Sequence, residues 1–134
     1  MNTTSLSNEI NTVCWQGDSN GHLEILDQTK LPTQIKNIVC KDVLAVVESI
    51  KMLRVRGAPA IGIAGAYGMV LAVHQAVLLE DSSKKKIAYI QQRAEDLATS
   101  RPTAVNLRWA IQRIESLILN AFDSRFHSPK SKIP

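Results

Sequence analysis

One segment near the middle of the chain, VRGAPAIGIAGAYG, limits the structures that this sequence can form. Pro59 cannot donate a backbone hydrogen bond, so it suits the start of a helix and interrupts any helix before it. Gly62, Gly65 and Gly68 follow at three-residue spacing, and a glycine inside a helix costs about 1 kcal/mol relative to alanine. The pattern predicts a helix from Pro59 to about Leu79. Its glycine face is expected to pack unusually close to another backbone, an interpretation we favour over a chemical role.

Hydrophobic spacing divides the rest of the chain into short strands followed by helices. Segments 13–15, 22–25 and 34–40 are extended, and the turn-forming residues 17–21 predict a β-hairpin between the first two. Apolar residues at three- and four-residue steps predict three further helices. The fold class is therefore α+β: a small antiparallel three-stranded sheet followed by a bundle of about four helices. The predicted inward faces of the three further helices are, in chain order, Val43, Val46, Val47, Ile50 and Leu53; Ile87, Ile90, Ala94, Leu97 and Ala98; and Val105, Leu107, Ala110, Ile111, Ile114, Leu117, Ile118 and Phe122.

The length of 134 residues and a hydrophobic content of 45% suit one globular domain. We assign a flexible N-terminus to residues 1–9, the α+β domain to 10–122 and a disordered tail to 123–134. Residues 1–12 are polar and contain no signal peptide, which favours a cytoplasmic protein. The apolar run 58–73 is shorter than the roughly 20 residues of a membrane-spanning helix. It therefore predicts a buried core helix and no membrane association.

The two cysteines, Cys14 and Cys40, lack the paired spacing of a zinc site. A disulfide between them is one interpretation. Two reduced, buried thiols are favoured because no secretory signal is visible. The sequence pairs no nucleophile with a base, so we assign no catalytic residue and no metal site to this chain.

Other residues that often carry chemistry receive structural interpretations. His74 lies on a largely apolar helix and is interpreted as a partly buried helix-face residue. The lysines at 84–86 lack interleaved aromatic residues, so we predict a solvated helix start and no nucleic-acid binding. Trp15 and Trp109 are expected to pack in the core.

Two places combine an arginine with a helix that starts near a proline: RGAP at 56–59 and RPT at 101–103. A helix start leaves backbone N–H groups unpaired and carries about half a positive charge, so anions bind there readily. A guanidinium adds a planar fork that matches two phosphate oxygens. Gly57 leaves the backbone open to a ligand. The first junction has every part that an anion site requires, but either junction taken alone favours a structural role for Arg56 or Arg101.

The same junctions carry a family resemblance. Residues 55–68 and 101–107 resemble the two N-terminal signatures of the methylthioribose-1-phosphate isomerases. The superfamily also contains ribose-1,5-bisphosphate isomerases and regulatory subunits of a translation-initiation guanine-exchange factor. LDQTKLP at 26–32 and Trp15 fit the family's early strand and turn. The resemblance covers about residues 13–121.

The resemblance implies an aldose–ketose isomerase of methionine salvage, which converts 5-methylthioribose 1-phosphate into 5-methylthioribulose 1-phosphate without a metal or organic cofactor. On the family pattern, Arg56, Gly57 and Ala58 contact the sugar phosphate and Arg101 holds its phosphate. Full-length members continue into a Rossmann-like domain with a catalytic cysteine and a catalytic aspartate. We therefore expect this chain to be the substrate-binding domain, truncated before the catalytic domain and inactive alone.

Two alternatives stay open on the residues. One is a non-catalytic regulatory or binding module related to the exchange-factor subunits, and the other is a relative of ribose-1,5-bisphosphate isomerase. Apolar parts of the second and fourth helices are expected to be exposed in the absence of the second domain. Self-association through that surface is expected as a consequence.

Overall fold

The chain folds into a three-stranded antiparallel sheet followed by four helices, which confirms the predicted α+β class. The structure is a computed structural model that describes residues 12–126, and of 123–126 it describes the backbone alone. The predicted flexible segment 1–9 and residues 127–134 of the predicted tail lie outside the described residues. The elements are β1 (Val13–Gln16), β2 (His22–Leu26), a 3-10 turn (Gln28–Lys30), β3 (Asn37–Cys40), α1 (Val43–Lys51), α2 (Ala58–Val77), α3 (Ser83–Thr99) and α4 (Val105–Phe126).

The sheet has β2 at its centre and presents one face to the helices. Trp15 lies opposite Leu23, which lies opposite Cys40, and Trp15 stacks on Tyr67 of α2 with ring centroids 5.2 Å apart. Neighbouring residues of a strand point to opposite faces, so Cys14 belongs to the other face. The two cysteines are therefore on opposite faces, with β2 between their strands, and both thiols are free. Cys40 is fully buried as predicted, whereas Cys14 is only half-buried.

Helix α2 is the central element of the domain. It contacts α1, α3 and α4 and also packs on β1 and β2. Among the described residues it is the single helix long and apolar enough to cross a membrane, and half of its apolar window is buried inside the fold. This burial agrees with its interpretation as a core helix. Its buried side chains are Ile61, Ala64, Met69, Leu71, Ala72 and Ala76.

The glycine face of α2 serves close packing, as predicted. A β-carbon added at Gly65 would lie 2.5 Å from Cδ1 of Leu107 in α4, and one at Gly68 would lie 2.9 Å from Cδ2 of Leu97 in α3. The close neighbours at both glycines are branched side chains. The expectation that another backbone fills this space is therefore wrong at these two positions. Leu107 and Leu97 are fully buried, so the glycines admit the bulk that locks α4 and α3 onto α2.

Helix α1 ends two residues earlier than its apolar pattern suggests. The Leu53 N–H donates to the Ile50 carbonyl at 3.2 Å, and the Arg54 N–H donates to the Ser49 carbonyl at 2.9 Å. These two bonds form a Schellman turn, in which the residue after the cap is left-handed. Leu53 takes that position with φ 63°, where glycine is usual. Its predicted place on the inward face of the helix is therefore wrong, and its side chain is exposed.

Helix α4 buries a narrower face than predicted. Leu107 and Ile111 are fully buried against α2, whereas Val105, Leu117 and Trp109 are exposed. Trp109 is 60% exposed, with the Arg113 guanidinium 5.4 Å from its ring centroid. The predicted core positions of these three exposed residues are wrong. The apolar residues of α4 cover a wider arc than its two partners, α2 and α3, can cover.

One strand boundary and one helix boundary also differ from the predicted ones. β3 begins at Asn37 rather than at residue 34. α4 continues to Phe126, so the first four residues of the predicted tail are helical. The change from an apolar to a polar composition after residue 122 therefore does not mark the end of the helix.

The remaining structural interpretations hold. His74 is half-buried on α2, and its ring lies 6.1 Å from that of Trp15 in an edge-on arrangement. Trp15 is half-buried and donates its indole N–H to the Asp18 carbonyl at 2.8 Å. Ser82 caps α3 by accepting from the Lys85 N–H, and Lys84 and Lys85 are exposed.

The glycine face yields a matched pair of substitutions. Gly65→Ala should lower the free energy of unfolding by about 1–2 kcal/mol, because overpacking of Leu107 and Ile111 outweighs the gain in helix propensity. At Gly62 the nearest atoms to an added β-carbon are 3.8 and 4.0 Å away, in ordinary contact. Gly62→Ala should therefore raise the free energy of unfolding by up to about 1 kcal/mol. Urea denaturation measures both changes, and equal effects of the two variants would contradict this account of the packing.

Candidate functional site

The start of α2 leaves backbone donors unused. Gly57 is the N-terminal cap, and its carbonyl accepts the first helical hydrogen bond from the Ile61 N–H at 2.9 Å. Among the side chains that the structure describes, none caps this end of the helix. Ala58 and Pro59 are the first two helical residues, and proline has no N–H. The N–H groups of Ala58 and Ala60 are consequently left for a ligand or water.

Gly57 requires glycine for a backbone reason. Its φ of 92° and ψ of 134° lie in a region that other residues rarely adopt. Nothing lies within 4 Å of a β-carbon added there, so the residue faces open space. The open surroundings leave room for a ligand at this backbone, and ligand binding at Gly57 stays a prediction.

The start of α4 follows a tight turn. Ser100 ends α3 and donates its hydroxyl to the Leu97 carbonyl at 2.6 Å. The Ala104 N–H donates to the Arg101 carbonyl at 2.9 Å, and the Ala104 carbonyl accepts from the Arg108 N–H at 3.2 Å. The helix therefore begins at Val105, two residues after the predicted start at Thr103. The break predicted around Arg101 and Pro102 lies between α3 and α4.

The two helix starts meet at a shared cavity. It measures about 310 Å³ and is lined by Ala58 and Ile61 from α2 and by residues 103–107 from the turn and first positions of α4. A second cavity of about 460 Å³ continues between the same helices, and Ala58 and Asn106 line both. Within residues 12–126, no carboxylate lines either cavity. The junctions that are 43 residues apart in sequence, at Ala58 and Arg101, thus adjoin one space.

The predicted site residues occupy different positions around this cavity. Ala58 lines it, whereas Arg56, Gly57 and Arg101 do not. Arg56 precedes Ala58 by two residues, and Arg101 precedes Thr103 by two residues. A two-residue separation spans at most about 7 Å, so both arginine backbones lie near the cavity rim. Arg56 is exposed and Arg101 is half-buried.

Among the described side chains, Arg56 and Arg101 share with Arg108 and Arg113 the lack of a carboxylate partner and differ in this from Arg54 and Arg93. Arg101 is not fully exposed, and a partly desolvated guanidinium interacts more strongly with an anion than an exposed one. The two unpaired charges and the free N–H groups of α2 are the parts that an oxyanion site requires.

An ion-pair network beside the first junction escaped the sequence analysis. Asp27 is 1% exposed and accepts from the Thr29 N–H at 2.9 Å and from the Arg54 guanidinium at 3.1 Å. Arg54 also holds Glu48 through two bonds of 3.0 and 3.2 Å. The signal in the sequence was an aspartate directly after a strand. Its partner lies 27 residues further on, a distance that local patterns do not relate.

The electrostatic balance at Asp27 favours the charged form. Burial by itself would raise the pKa of this carboxyl, but the hydrogen bonds from Thr29 and the charge of Arg54 lower it overall. At the sheet, burial raises the pKa of the Cys40 thiol, which keeps that thiol protonated and unreactive. Among the described residues, no three side chains of His, Cys, Asp or Glu form a group suited to a metal ion.

The fold and the junctions define a class of protein: an α+β domain with two arginine-bearing helix starts at one cavity. The chain belongs to the initiation factor 2 subunit family, whose model matches residues 54–132. The match begins at the arginine before the first junction and includes the second. It also extends past residue 122, the predicted end of the domain.

Curated relatives and solved structures agree with this membership. The chain is 48% identical over 105 residues to a methylthioribose-1-phosphate isomerase of Pelotomaculum thermopropionicum, covering 78% of this chain and 28% of the relative. It is 39% identical over 123 residues to a putative methylthioribose-1-phosphate isomerase of Methanosarcina acetivorans, covering 92% of this chain and 34% of the relative.

Two solved structures have the same fold over 84% of this chain. One is 5-methylthioribose 1-phosphate isomerase from Pyrococcus horikoshii, with a TM-score of 0.72, 33% identity and 30% of its chain covered. The other is the delta subunit of translation initiation factor eIF-2B from A. fulgidus, with a TM-score of 0.65, 32% identity and 35% of its chain covered. This chain therefore spans about a third of the length of its relatives.

Asp27 gives a pH-dependent prediction. Its pKa is lower in the folded chain than the ordinary value of 3.8, so its contribution to stability is present above about pH 4 and is lost as pH falls through the folded pKa. Asp27→Asn should lower the free energy of unfolding at pH 7 by about 1–3 kcal/mol, since it weakens the bonds to Thr29 and Arg54. It should also flatten the decline in stability below pH 4. Urea denaturation from pH 3 to 7 measures both effects.

The exposed Asp81 provides the control, because it has no guanidinium partner among the described residues. Asp81→Asn should change the free energy of unfolding at pH 7 by less than about 0.5 kcal/mol. A decline below pH 4 that is equally steep in Asp27→Asn and in the unsubstituted chain would contradict the role given to Asp27.

Proposed function

We propose that this chain binds a phosphorylated sugar where the starts of α2 and α4 meet, and that it corresponds to the N-terminal substrate-binding domain of a methylthioribose-1-phosphate isomerase. The observation that carries the proposal is the cavity shared by Ala58 and residues 103–107. It joins two junctions that carry unpaired arginines. The names of the similar proteins from Pelotomaculum and Pyrococcus support the choice of sugar.

The physical basis is the sum of several modest attractions to one phosphate. Unpaired N–H groups at a helix start favour an anion by about 0.3–1 kcal/mol when exposed. Each charge-assisted hydrogen bond from a guanidinium adds about 1.5–3 kcal/mol. Arg56 supplies this group before α2, and Arg101 supplies it before α4. Gly57 and Ala58 follow Arg56 directly, and their small size leaves the backbone accessible to the phosphate.

In the proposed reaction, an aldose phosphate becomes a ketose phosphate during methionine salvage. The phosphate ester on C1 blocks the usual route through a free aldehyde, so the substrate must be held firmly while its ring opens. This chain would hold the phosphorylated end. The transfer between C1 and C2 is assigned to the remaining two-thirds of the isomerases, and we expect this chain by itself to bind without turnover.

A second candidate is a non-catalytic regulatory module. The likeness to the eIF-2B delta subunit and the match to the initiation factor 2 subunit family favour it. The unpaired Arg56 and Arg101 argue for the first candidate, because an interaction module needs no pair of anion-binding junctions. Binding to an initiation factor in the absence of sugar-phosphate binding would support the module instead.

The proposal predicts which substitutions weaken ligand binding. In an NMR titration of the 134-residue chain with 5-methylthioribose 1-phosphate, Arg56→Ala and Arg101→Ala should each raise the dissociation constant about tenfold or more. Lys84→Ala removes an exposed charge at the start of α3. It should change the dissociation constant less than about twofold, because salt screens exposed charges that are far from the ligand. The same samples should show no isomerase turnover.

Three outcomes of this titration separate the candidates. A ligand response that is equal in the unsubstituted chain and both arginine variants would remove the site. Turnover by the pure chain would overturn the assignment of chemistry to the rest of the isomerase. Tenfold losses for both arginines and none for Lys84→Ala would support the domain as a sugar-phosphate binder.

The larger cavity supports a further expectation, that copies of the chain associate through it. Trp109 and Ile63 are exposed and line the same groove between α2 and α4, and exposed aromatic residues are enriched at protein interfaces. Trp109→Gln should lower the fraction of dimer or larger species in sedimentation velocity across a concentration series. Leu78 is also a strongly exposed apolar residue but does not line this groove, so Leu78→Gln should leave the fraction of larger species unchanged. Monomer at every concentration in the unsubstituted chain would contradict the expectation.

A further inference from the structure

The segment between α1 and α2, residues 52–57, is held from two sides before it reaches the candidate site. We propose that Asp27 and Arg54 are positioning residues, which fix this segment so that Arg56 and Gly57 meet the ligand in one geometry. The inference rests on the proposed function, since it assigns Arg56 and Gly57 to the binding of a sugar phosphate. It goes beyond it by placing part of the binding determinant in the turn after β2.

Asp27 is the fixed end of this arrangement. It follows β2 directly and caps the 3-10 turn with an almost completely buried side chain. Oδ1 accepts from the N–H and the hydroxyl of Thr29 at 2.9 and 2.5 Å, and Oδ2 accepts from Arg54 Nη1 at 3.1 Å. Three bonds leave the carboxylate one orientation. Because Asp27 directly follows β2, its bond to Arg54 fixes the position of Arg54 relative to the sheet.

Arg54 is held by its side chain and by its backbone. Nε and Nη2 form a bidentate pair with Glu48 of α1, at 3.2 and 3.0 Å. The Arg54 carbonyl accepts from the Gln28 N–H at 2.8 Å, and the Arg54 N–H donates to the Ser49 carbonyl at 2.9 Å. Residue 54 is thus connected to the turn after β2 and to α1 at the same time.

The constraint reaches the candidate site through a single residue. Val55 is fully buried, so it anchors the chain immediately after Arg54. Arg56 and Gly57 then extend into solvent before α2 begins at Ala58. Only these two residues lie between the buried anchor and the helix. A shift of Arg54 is therefore passed to the guanidinium and the left-handed glycine that would contact a phosphate.

Arg93 offers a matched control for a test of this arrangement. It pairs with Asp96 at 2.9 Å and its side chain is 22% exposed, against 25% for Arg54. Both pairs join an arginine to a carboxylate in a partly buried setting. The Arg93 pair lies within α3, and its polar and ring contacts among the described residues are with Gln92 and Tyr89 of the same helix.

The experiment compares Arg54→Gln and Arg93→Gln in the 134-residue chain, at a temperature where denaturation curves show both to be folded. Titration with 5-methylthioribose 1-phosphate should give a dissociation constant about tenfold higher for Arg54→Gln, because small misplacements of binding groups are costly. The change for Arg93→Gln should stay below about twofold, as for surface changes away from a site. Arg54→Lys should restore part of the affinity, since lysine keeps the charge without the fork.

A second readout keeps this inference separate from the proposed function. Amide resonances of Arg56 and Gly57 should shift, and their hydrogen exchange should quicken, in ligand-free Arg54→Gln but not in Arg93→Gln. Equal losses of affinity in both variants, or unchanged amides at 56 and 57, would overturn the positioning role. A chain that binds no sugar phosphate at all, yet shows the amide changes, would overturn the proposed function and leave the positioning of this segment standing.

Discussion

The packing of α4 against the glycine face of α2 is the contact on which the candidate site depends. Gly65 has no side chain and leaves space for Leu107 and Ile111, so the two helices approach closely near their N-terminal ends. That approach brings Ala58 beside residues 103–107 and forms the cavity between the helix starts. A bulkier residue at the crossing would push the two starts apart. The glycines therefore act on the site through geometry, without touching a ligand.

Two arginines just before α2 differ in their partners. Arg54 is neutralised by Asp27 and Glu48 and connects the sheet to α1. Arg56, two residues later, has no such carboxylate among the described side chains and is exposed. The fully buried Val55 lies between them, with Arg54 directed to the buried Asp27 and the exposed Glu48 and Arg56 left at the surface. The same short stretch of chain thus contains one positive charge that is paired with carboxylates and one that is not.

The sequence predicted the fold class and the start of α2 because these depend on local patterns. Proline position, glycine spacing and the turn residues of the hairpin act within a few residues of each other. The prediction that Leu53 lies on the buried face of α1 is wrong because α1 ends through a left-handed residue at position 53. Leucine gives no sequence signal for that conformation. Trp109 was placed in the core because apolarity does not reveal which side of a helix has a partner. The family resemblance predicted that the two junctions belong to one site. The pair of Asp27 and Arg54 could be identified only from the tertiary structure.

The conformation of Gly57 has a consequence for the handedness of the backbone at the mouth of the site. Space is not what reserves this position for glycine, because an added β-carbon would meet nothing. The backbone angles are at issue: φ 92° with ψ 134° lies outside the regions open to an L-residue, and the mirror-image angles lie outside them too, so a D-residue is also strained there. A D-alanine introduced at residue 57 by chemical synthesis would therefore be strained in the existing turn, as an L-alanine would. It would also remove the conformational freedom that the natural glycine has in the unfolded chain.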